Sequence, residues 1–455
     1  MISGKLGAFA VDIRKRGLPS EVIHAAKRCF LDGMAAMICG AVNPPATLMT
    51  EALEEELDHG GAQIIPSGRH APIRTAALIN GAAAHAMEVD DIYRDAVYHP
   101  GPPVISAVLA ASQSFGNTGD MLLRSLIAGY EVSNRVGEAL QPAHYEYWHT
   151  TGTIGTIGAA AGCSVAFELD PSQAKHALAN SVTMAAGLQQ TFATDSMGKP
   201  IHAGHAAETG AMAALLARHG VTGAEGMFEG QRGIGNAMSR NVDWKTVTLK
   251  LDDEYTITKM TQKNHTCCGH VFAAIDSIIS LASDHQLKAE DIVSINVGTY
   301  AKGVEICGNR DPKTIYEAKF SLPYALAVGL IFGRARFNEF SNETLNDPIV
   351  RELMSRVDFE IDQAAEEKFP NRRSAIVTVK TSDGRHLVHH SPTRKGDPDN
   401  PLSDSELEDK FYELVGPVTG SSGADTLLND CWNLEKLDNI NNLSCFALEP
   451  VIRSA

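Results

Sequence analysis

Residues 73–87 read IRTAALINGAAAHAM, and this stretch decides the fold. It is small-residued, apolar and too long for a strand, so it predicts a buried helix. Residues 103–116, 119–140, 152–167 and 172–187 repeat the theme, with Ala, Gly and Ser at three- and four-residue spacing that lets helices approach closely. Upstream, Ser20 is an N-cap before EVIHAAKRCFLDGMAAMICG, where Val22, Ala26, Cys29, Phe30, Gly33 and Met37 recur at helical spacing until Pro44-Pro45 breaks the run. No β-α-β alternation appears in this half, which predicts an all-helical domain. The texture changes after about residue 265. The segments IVSINVGTY (292–300) and VDFEI (357–361) alternate as strands, and AKFSLPYALAVGLIFG (318–333) reads as a helix with Pro323 in its first turn. AIVTVKT and RHLVHHS, joined through Asp383-Gly384, are a hairpin signal. A linker at Lys395–Pro401 then leads into a final helix beginning SDSELEDKFYELV.

The expected fold is therefore mainly α. Residues 1–268 and 400–455 form a large, discontinuous all-helical domain, and residues 269–399 form a smaller α+β domain. A chain of 455 residues with 44% apolar and 21% charged side chains is long and apolar enough for two such cores. Its net charge of −16 makes it a poor partner for nucleic acid or an anionic membrane. No apolar run reaches the roughly eighteen residues a membrane span needs, and the N-terminus places charge after an apolar patch, unlike a signal peptide. A cytoplasmic location is expected. Eight cysteines do not make a disulfide framework in a chain of this length. Cys29, Cys39, Cys163, Cys307, Cys431 and Cys445 read as small core residues, and the adjacent Cys267-Cys268 is poorly placed to chelate one zinc ion.

Four patches combine titratable side chains with Gly or Pro breaks. Glu88-Val89-Asp90-Asp91-Ile92-Tyr93-Arg94 leads to His99-Pro100-Gly101. It reads either as a solvated helix end with surface ion pairs or as a wall that orients a histidine. His144-Tyr145-Glu146-Tyr147-Trp148-His149 precedes TTGTIGTIGAAAG. Those glycines match neither G-x-G-x-x-G nor a Walker A loop and read as close helix packing, with the aromatic and His cluster at a helix N-terminus that favours an anion. Asp195-Ser196-Met197-Gly198-Lys199-Pro200-Ile201-His202 holds a lysine on a constrained backbone; buried, such a lysine serves as a base. His202, His205 and Glu208 have metal-like spacing, but capping and packing are the better reading. Lys259 to His270, with Lys263, lies where the two halves meet, a preferred place for small-molecule pockets. Cations and donors in an acidic chain without a metal or nucleotide motif suit a small polycarboxylate handled by proton transfer.

The ordered set NGAAAHAMEVDD…HPGPPV, WHTTGTIGTIGAAAG, GKPIHAGHAAETG, K…CCGHVFAAID, FSLPYALA and KGDPDNPLSDSEL resembles the MmgE/PrpD family across nearly the whole chain. The resemblance implies a homodimer with a large helical domain and a smaller α+β lid. It implies no metal, no organic cofactor, a site between domains, and a small polycarboxylate substrate. It maps functional positions onto Glu88, Asp90, Asp91, His99, His149, Lys199, Lys263 and Tyr324. Where the family commonly writes D-F-D-D-T, this chain has Glu88-Val89-Asp90-Asp91-Ile92 and loses a hydroxyl. K-x-Y-P-C-C becomes Lys263-Asn264-His265-Thr266-Cys267-Cys268, and a histidine of that segment is Phe272, with His270 nearby.

The pocket is therefore altered relative to the dehydratase and decarboxylase pattern, and the resemblance implies a cofactor-independent epimerase of iminodisuccinate, an amino-dicarboxylate. The alternative is a lyase that dehydrates a methylcitrate-like acid or decarboxylates a cis-aconitate-like one. A non-catalytic helical scaffold is a third reading. Either enzyme removes a weakly acidic proton α to a carboxylate, so preorganised donors must stabilise the developing charge. The expected catalytic groups are Lys199, with Tyr145 or His149 opposite it, and His99. Arg94, Lys263 and His99 are expected to hold carboxylates, Tyr324 to contact substrate, and Glu88 and Asp91 to orient His99 or meet an amine.

Overall fold

The computed structural model describes residues 1–194, 196–369 and 371–444; Asp195 and Cys445 of the stretches above lie outside them. The chain divides into two compact units, Met1–Met260 with Asp404–Ala455, and Thr261–Ser403. The smaller unit thus begins at residue 261 rather than 269 and ends at 403 rather than 399, so Lys263 and Cys267 belong with it. Among the described residues, no helix is long and apolar enough to cross a membrane.

The larger unit is built around the helix Thr150–Ala166, every residue of which is buried. A helix apolar on all sides must be surrounded, and Gly101–Phe115, Gly119–Leu140, Pro171–Met184 and Gly198–Arg218 surround it. Its glycines explain how they come so close. A Cβ at Gly158 would lie 2.8 Å from the Ser133 Cβ, and one at Gly155 would lie 2.6 Å from Pro103. The T-I-G-T-I-G pattern is therefore a packing seam. Ile73–Ala86, the stretch that set the fold, packs on Ser20–Ala41, Gly101–Phe115 and Gly198–Arg218. The C-terminal segment Asp404–Trp432, interrupted by a non-helical Gly420, packs against Ser20–Ala41. The unit is not purely helical: Ala62–Gln63 and His70–Ala71 pair as a two-residue antiparallel ribbon, too short to show as an alternating pattern.

The smaller unit has a four-stranded mixed sheet in which Ile292–Thr299 runs between Val357–Ile361, its parallel neighbour, and Ala375–Thr381, with His386–Ser391 at the far edge. The last two strands turn through Asp383-Gly384, where Gly384 takes φ 86°. Phe272–His285 packs on that hairpin and on Leu322–Phe332. The latter helix begins at 322 rather than 318, because the Ser321 hydroxyl caps the Tyr324 amide and Pro323 sits in the first turn.

Candidate active site

Four histidines form a continuous group in the larger unit, each placed by the end of a helix. His85 is in the last turn of Ile73–Ala86 and fully buried. His99 lies two residues before Gly101–Phe115, His149 is the N-cap residue of Thr150–Ala166, and His202 is in the opening turns of Gly198–Arg218. The His85 ring lies edge-on to His99 at 4.9 Å and stacks on His149 at 5.6 Å. His149 Nδ1 is 3.1 Å from His202 Nδ1, and the Phe192 ring stands edge-on to His149 at 5.0 Å. One helix C-terminus and three N-termini thus meet here, and exposed N-terminal amides favour an anion.

The loop after Ile73–Ala86 supplies the carboxylates. Asp90, 1% exposed, contacts both His85 Nδ1 and His99 Nδ1 at 2.8 Å through the same oxygen, Oδ2. The buried His85 Nε2 has no hydrogen-bond partner among the described residues, so the favoured tautomer carries its proton on Nδ1 and donates it to Asp90. His99 Nδ1 lies at ion-pair distance from the same Asp90 oxygen. Glu88 pairs with Lys199, both nearly buried. Glu88 occupies the position just past the helix C-cap with φ 60°, a place glycine usually takes. Val97, in the same loop, has φ 49°, an outlier for a β-branched residue. Such backbone is held by its surroundings. Here Lys410 of the C-terminal helix supports it, donating to the Val89 carbonyl at 2.6 Å and to buried Asp32 at 2.5 Å.

Asp91, adjacent in sequence, has the opposite environment. Its Oδ1 accepts from the Gly101 amide at 2.9 Å and its Oδ2 from the Tyr130 hydroxyl at 2.7 Å. Burial, with the Asp32 charge next, pushes its carboxyl up to about 8. It anchors the start of Gly101–Phe115, and it is Asp90 that lies 2.8 Å from His99. Burial, reinforced by the charges of His85, Lys199, His202 and His99, holds His149 well below the ordinary histidine value. Burial and His85 pull His202 down to about 4. Both rings are neutral near pH 7.

The remaining expected residues are placed as follows. Tyr145 is in the short 3-10 turn Ala143–Glu146, on the connection that leads to His149. Arg94 reaches Asp95 at 3.3 Å. Lys263 is buried in the smaller unit, beside Gln262, whose amide donates to the Gly396 carbonyl. Tyr324, expected to contact substrate, is fully buried, packs on Phe340, and donates its hydroxyl to the Glu339 carbonyl at 2.6 Å. Its aromatic bulk on an apolar helix explains the burial. Lys199 changes role. An ammonium paired with Glu88 offers donors and no acceptor, so it suits charge stabilisation or proton donation rather than proton abstraction. His85 and Lys410 escaped the sequence reading. The signal for His85 was present, as a histidine inside an otherwise Ala-rich buried run; Lys410 gave none, because its partners lie more than three hundred residues away.

His85, Asp90 and His99 place ligand-type atoms within 4.8 Å of one another. The His85–Asp90 contact is a hydrogen bond, and His99 Nδ1 lies 2.8 Å from the same carboxylate oxygen. Chemically, the group combines a fixed cation, an acid–base histidine beside a carboxylate and two neutral histidines on helix ends that attract anions.

Comparison with known proteins places this geometry among relatives. The MmgE/PrpD N-terminal domain matches residues 4–247 and the MmgE/PrpD C-terminal domain residues 265–434. The chain is similar to the cis-aconitate decarboxylase-like protein oryM of Aspergillus oryzae, 24% identical across 97% of this chain and 96% of that protein. It is likewise similar to cis-aconitate decarboxylase of Homo sapiens, 26% identical across 95% of this chain and 92% of that one. The Aspergillus terreus cis-aconitate decarboxylase is 24% identical across 99% and 97%.

Proposed function

The chain belongs to the MmgE/PrpD family, and from that premise we propose that it is a lyase that decarboxylates a small unsaturated polycarboxylate of the cis-aconitate kind by proton transfer alone. The observation that carries this reading is His99 beside Asp90, grouped with the Lys199–Glu88 pair in the larger unit. The full-length similarity to cis-aconitate decarboxylases supports the lyase over the epimerase expected from sequence.

Decarboxylation of an allylic carboxylate breaks the C–C bond to CO₂. The released electron pair becomes the new double bond, the old double bond shifts, and its far carbon takes one proton. His99, whose ring lies 2.8 Å from the Asp90 carboxylate, is the group that delivers this proton. The Lys199 ammonium stabilises charge as it develops. Neutral His149 and His202 accept hydrogen bonds without adding positive charge that would tie up the product.

A second reading, the iminodisuccinate epimerase, keeps one observation in its favour. Ile92, 6% exposed, stands where the family commonly has a hydroxyl-bearing Thr, so the pocket departs from the lyase pattern. Proton NMR in D₂O tests both. With cis-aconitate, release of CO₂ and a new olefinic product carrying one deuterium is expected. Untouched cis-aconitate, together with α-proton exchange in iminodisuccinate and no olefinic signal, would replace the lyase with the epimerase.

A further inference from the structure

The smaller unit buries a guanidinium that has no carboxylate of its own among the described residues, since Asp397, which acts on it, is bonded to another arginine. Arg373 is 4% exposed, and its Nε and Nη2 are shielded from solvent without a hydrogen-bond partner among the described residues. An arginine stays charged in proteins and carries five donors, so burying it unpaired is costly unless an anion joins it. The nearby carboxylate is already committed. Asp397 accepts from Arg394 Nε at 3.0 Å and Nη2 at 2.5 Å, and from the Thr261 hydroxyl at 2.6 Å. Arg394, itself fully buried, spends its remaining arm on the Gly269 carbonyl at 3.0 Å. Among the described residues, two guanidiniums and one carboxylate therefore leave an excess positive charge at Arg373.

The groups around it are those of a ligand site. Arg373, Arg394 and Cys268 all act electrostatically on the buried Tyr300 hydroxyl, which lies 2.8 Å from His270 Nδ1. Tyr300 is fixed by stacking on Phe369 at 4.6 Å and 16°. His270 is held well below its ordinary value by burial and by Arg373, Arg394 and Lys302, so it adds hydrogen bonding without a further charge. Cys268, Gly269 and His270 are only half-buried, so the approach along that segment is not sealed. A planar guanidinium with two idle donors matches the two oxygens of a carboxylate.

We propose that Arg373 forms the floor of an oxyanion site in the smaller unit that receives one carboxylate of a small polycarboxylate, with His270 and Tyr300 beside it. The choice of polycarboxylate rests on the function proposed above; the anion site itself rests on Arg373. The test uses the full chain and tricarballylate, a saturated tricarboxylate with no double bond to react, with sodium sulfate as the inorganic oxyanion. Thermal melts and isothermal titration are run on the unaltered chain, Arg373→Met and Arg373→Lys. Tricarballylate is expected to raise the Tm of the unaltered chain, and Arg373→Met to weaken its binding at least about tenfold. Without ligand, Arg373→Met should melt no lower than the unaltered chain, because an unpaired buried charge has been replaced by an apolar side chain. Arg373→Lys, which keeps the charge and loses the fork, should bind at an intermediate strength. A lower unliganded Tm for Arg373→Met with undiminished tricarballylate binding would overturn the proposal and make Arg373 structural. An Arg373-dependent response to sulfate but none to tricarballylate would overturn the polycarboxylate assignment. CO₂ release from cis-aconitate by the unaltered chain decides the lyase reading separately, so the two can fail independently.

Discussion

Asp90 and Asp91 are neighbours in sequence with opposite roles. Asp90 contacts two histidines through one oxygen; Asp91 is bonded to Tyr130 and the Gly101 amide. Asp90→Asn removes the carboxylate charge beside His85 and His99 and should lower kcat/KM by about 10²–10⁴-fold, with the melting temperature changed little; steady-state CO₂ release reads the first and circular dichroism the second. Asp91 gives a stability signature instead. Its folded value of about 8 stands above its ordinary 3.8, so the folded chain keeps a proton that the unfolded chain releases. Its contribution is full below about pH 4 and is lost as pH rises through about 8. Tm measured from pH 5 to 9 should therefore fall, and Asp91→Asn should flatten that decline; an unchanged slope in the variant would show that Asp91 ionises normally. Lys199→Met should lower kcat by two to three orders of magnitude, roughly the effect of removing one preorganised charge-stabilising donor. Near-normal turnover in that variant would remove Lys199 from the mechanism.

At the scale of the element, the end of Ile73–Ala86 sets two effects against each other. Glu88 sits at φ 60°, where glycine would save about 1–2 kcal/mol. Removing its carboxylate leaves the buried Lys199 charge unpaired, at a cost of about 3–5 kcal/mol. The second effect is larger, so Glu88→Gly should destabilise the protein by roughly 2 kcal/mol in urea unfolding despite relieving the backbone. Glu88→Gly combined with Lys199→Met should recover most of that loss; failure to recover would mean the pair contributes little. The packing seam is testable in the same way. Gly158→Ala places a methyl 2.8 Å from the Ser133 Cβ and should cost about 1–3 kcal/mol. These elements were readable because each rests on local pattern: small residues on the buried helices, and Asp383-Gly384 between two alternating runs. The two-residue ribbon at Ala62–Gln63 and His70–Ala71 was not, since two residues carry no period.

For the whole molecule, the two units have different chain topologies. Thr261–Ser403 is continuous and encloses its own apolar core, centred on Ile275, Ile295, Val297, Leu326 and Val377. A fragment spanning residues 261–403 should therefore fold alone and melt cooperatively, with both helical and strand signals in circular dichroism. The larger unit is discontinuous, because Asp404–Trp432 returns to pack on Ser20–Ala41 and carries Lys410 to Asp32 and the Val89 carbonyl. Truncation after residue 403 should expose that face and leave Asp32 buried without its cation. Protease resistance of the 1–260 portion should then be lost, whereas survival of a stable 1–260 core would show the return to be dispensable.

The sequence by itself determined the mainly helical class, the change of texture into a mixed α/β segment, and the chemistry available. Each depends on residues close along the chain, where periodicity, turn residues and charge act locally. It also carried the family, through six motifs in order. Tertiary structure alone decided which of those residues do the work. Asp90 rather than Asp91 meets the histidines, Tyr324 turns into the core, and Lys199 arrives already paired with Glu88 across more than one hundred residues. Those outcomes depend on which helix ends converge and which groups lose water there, and neither burial nor convergence is a property of any short stretch of chain.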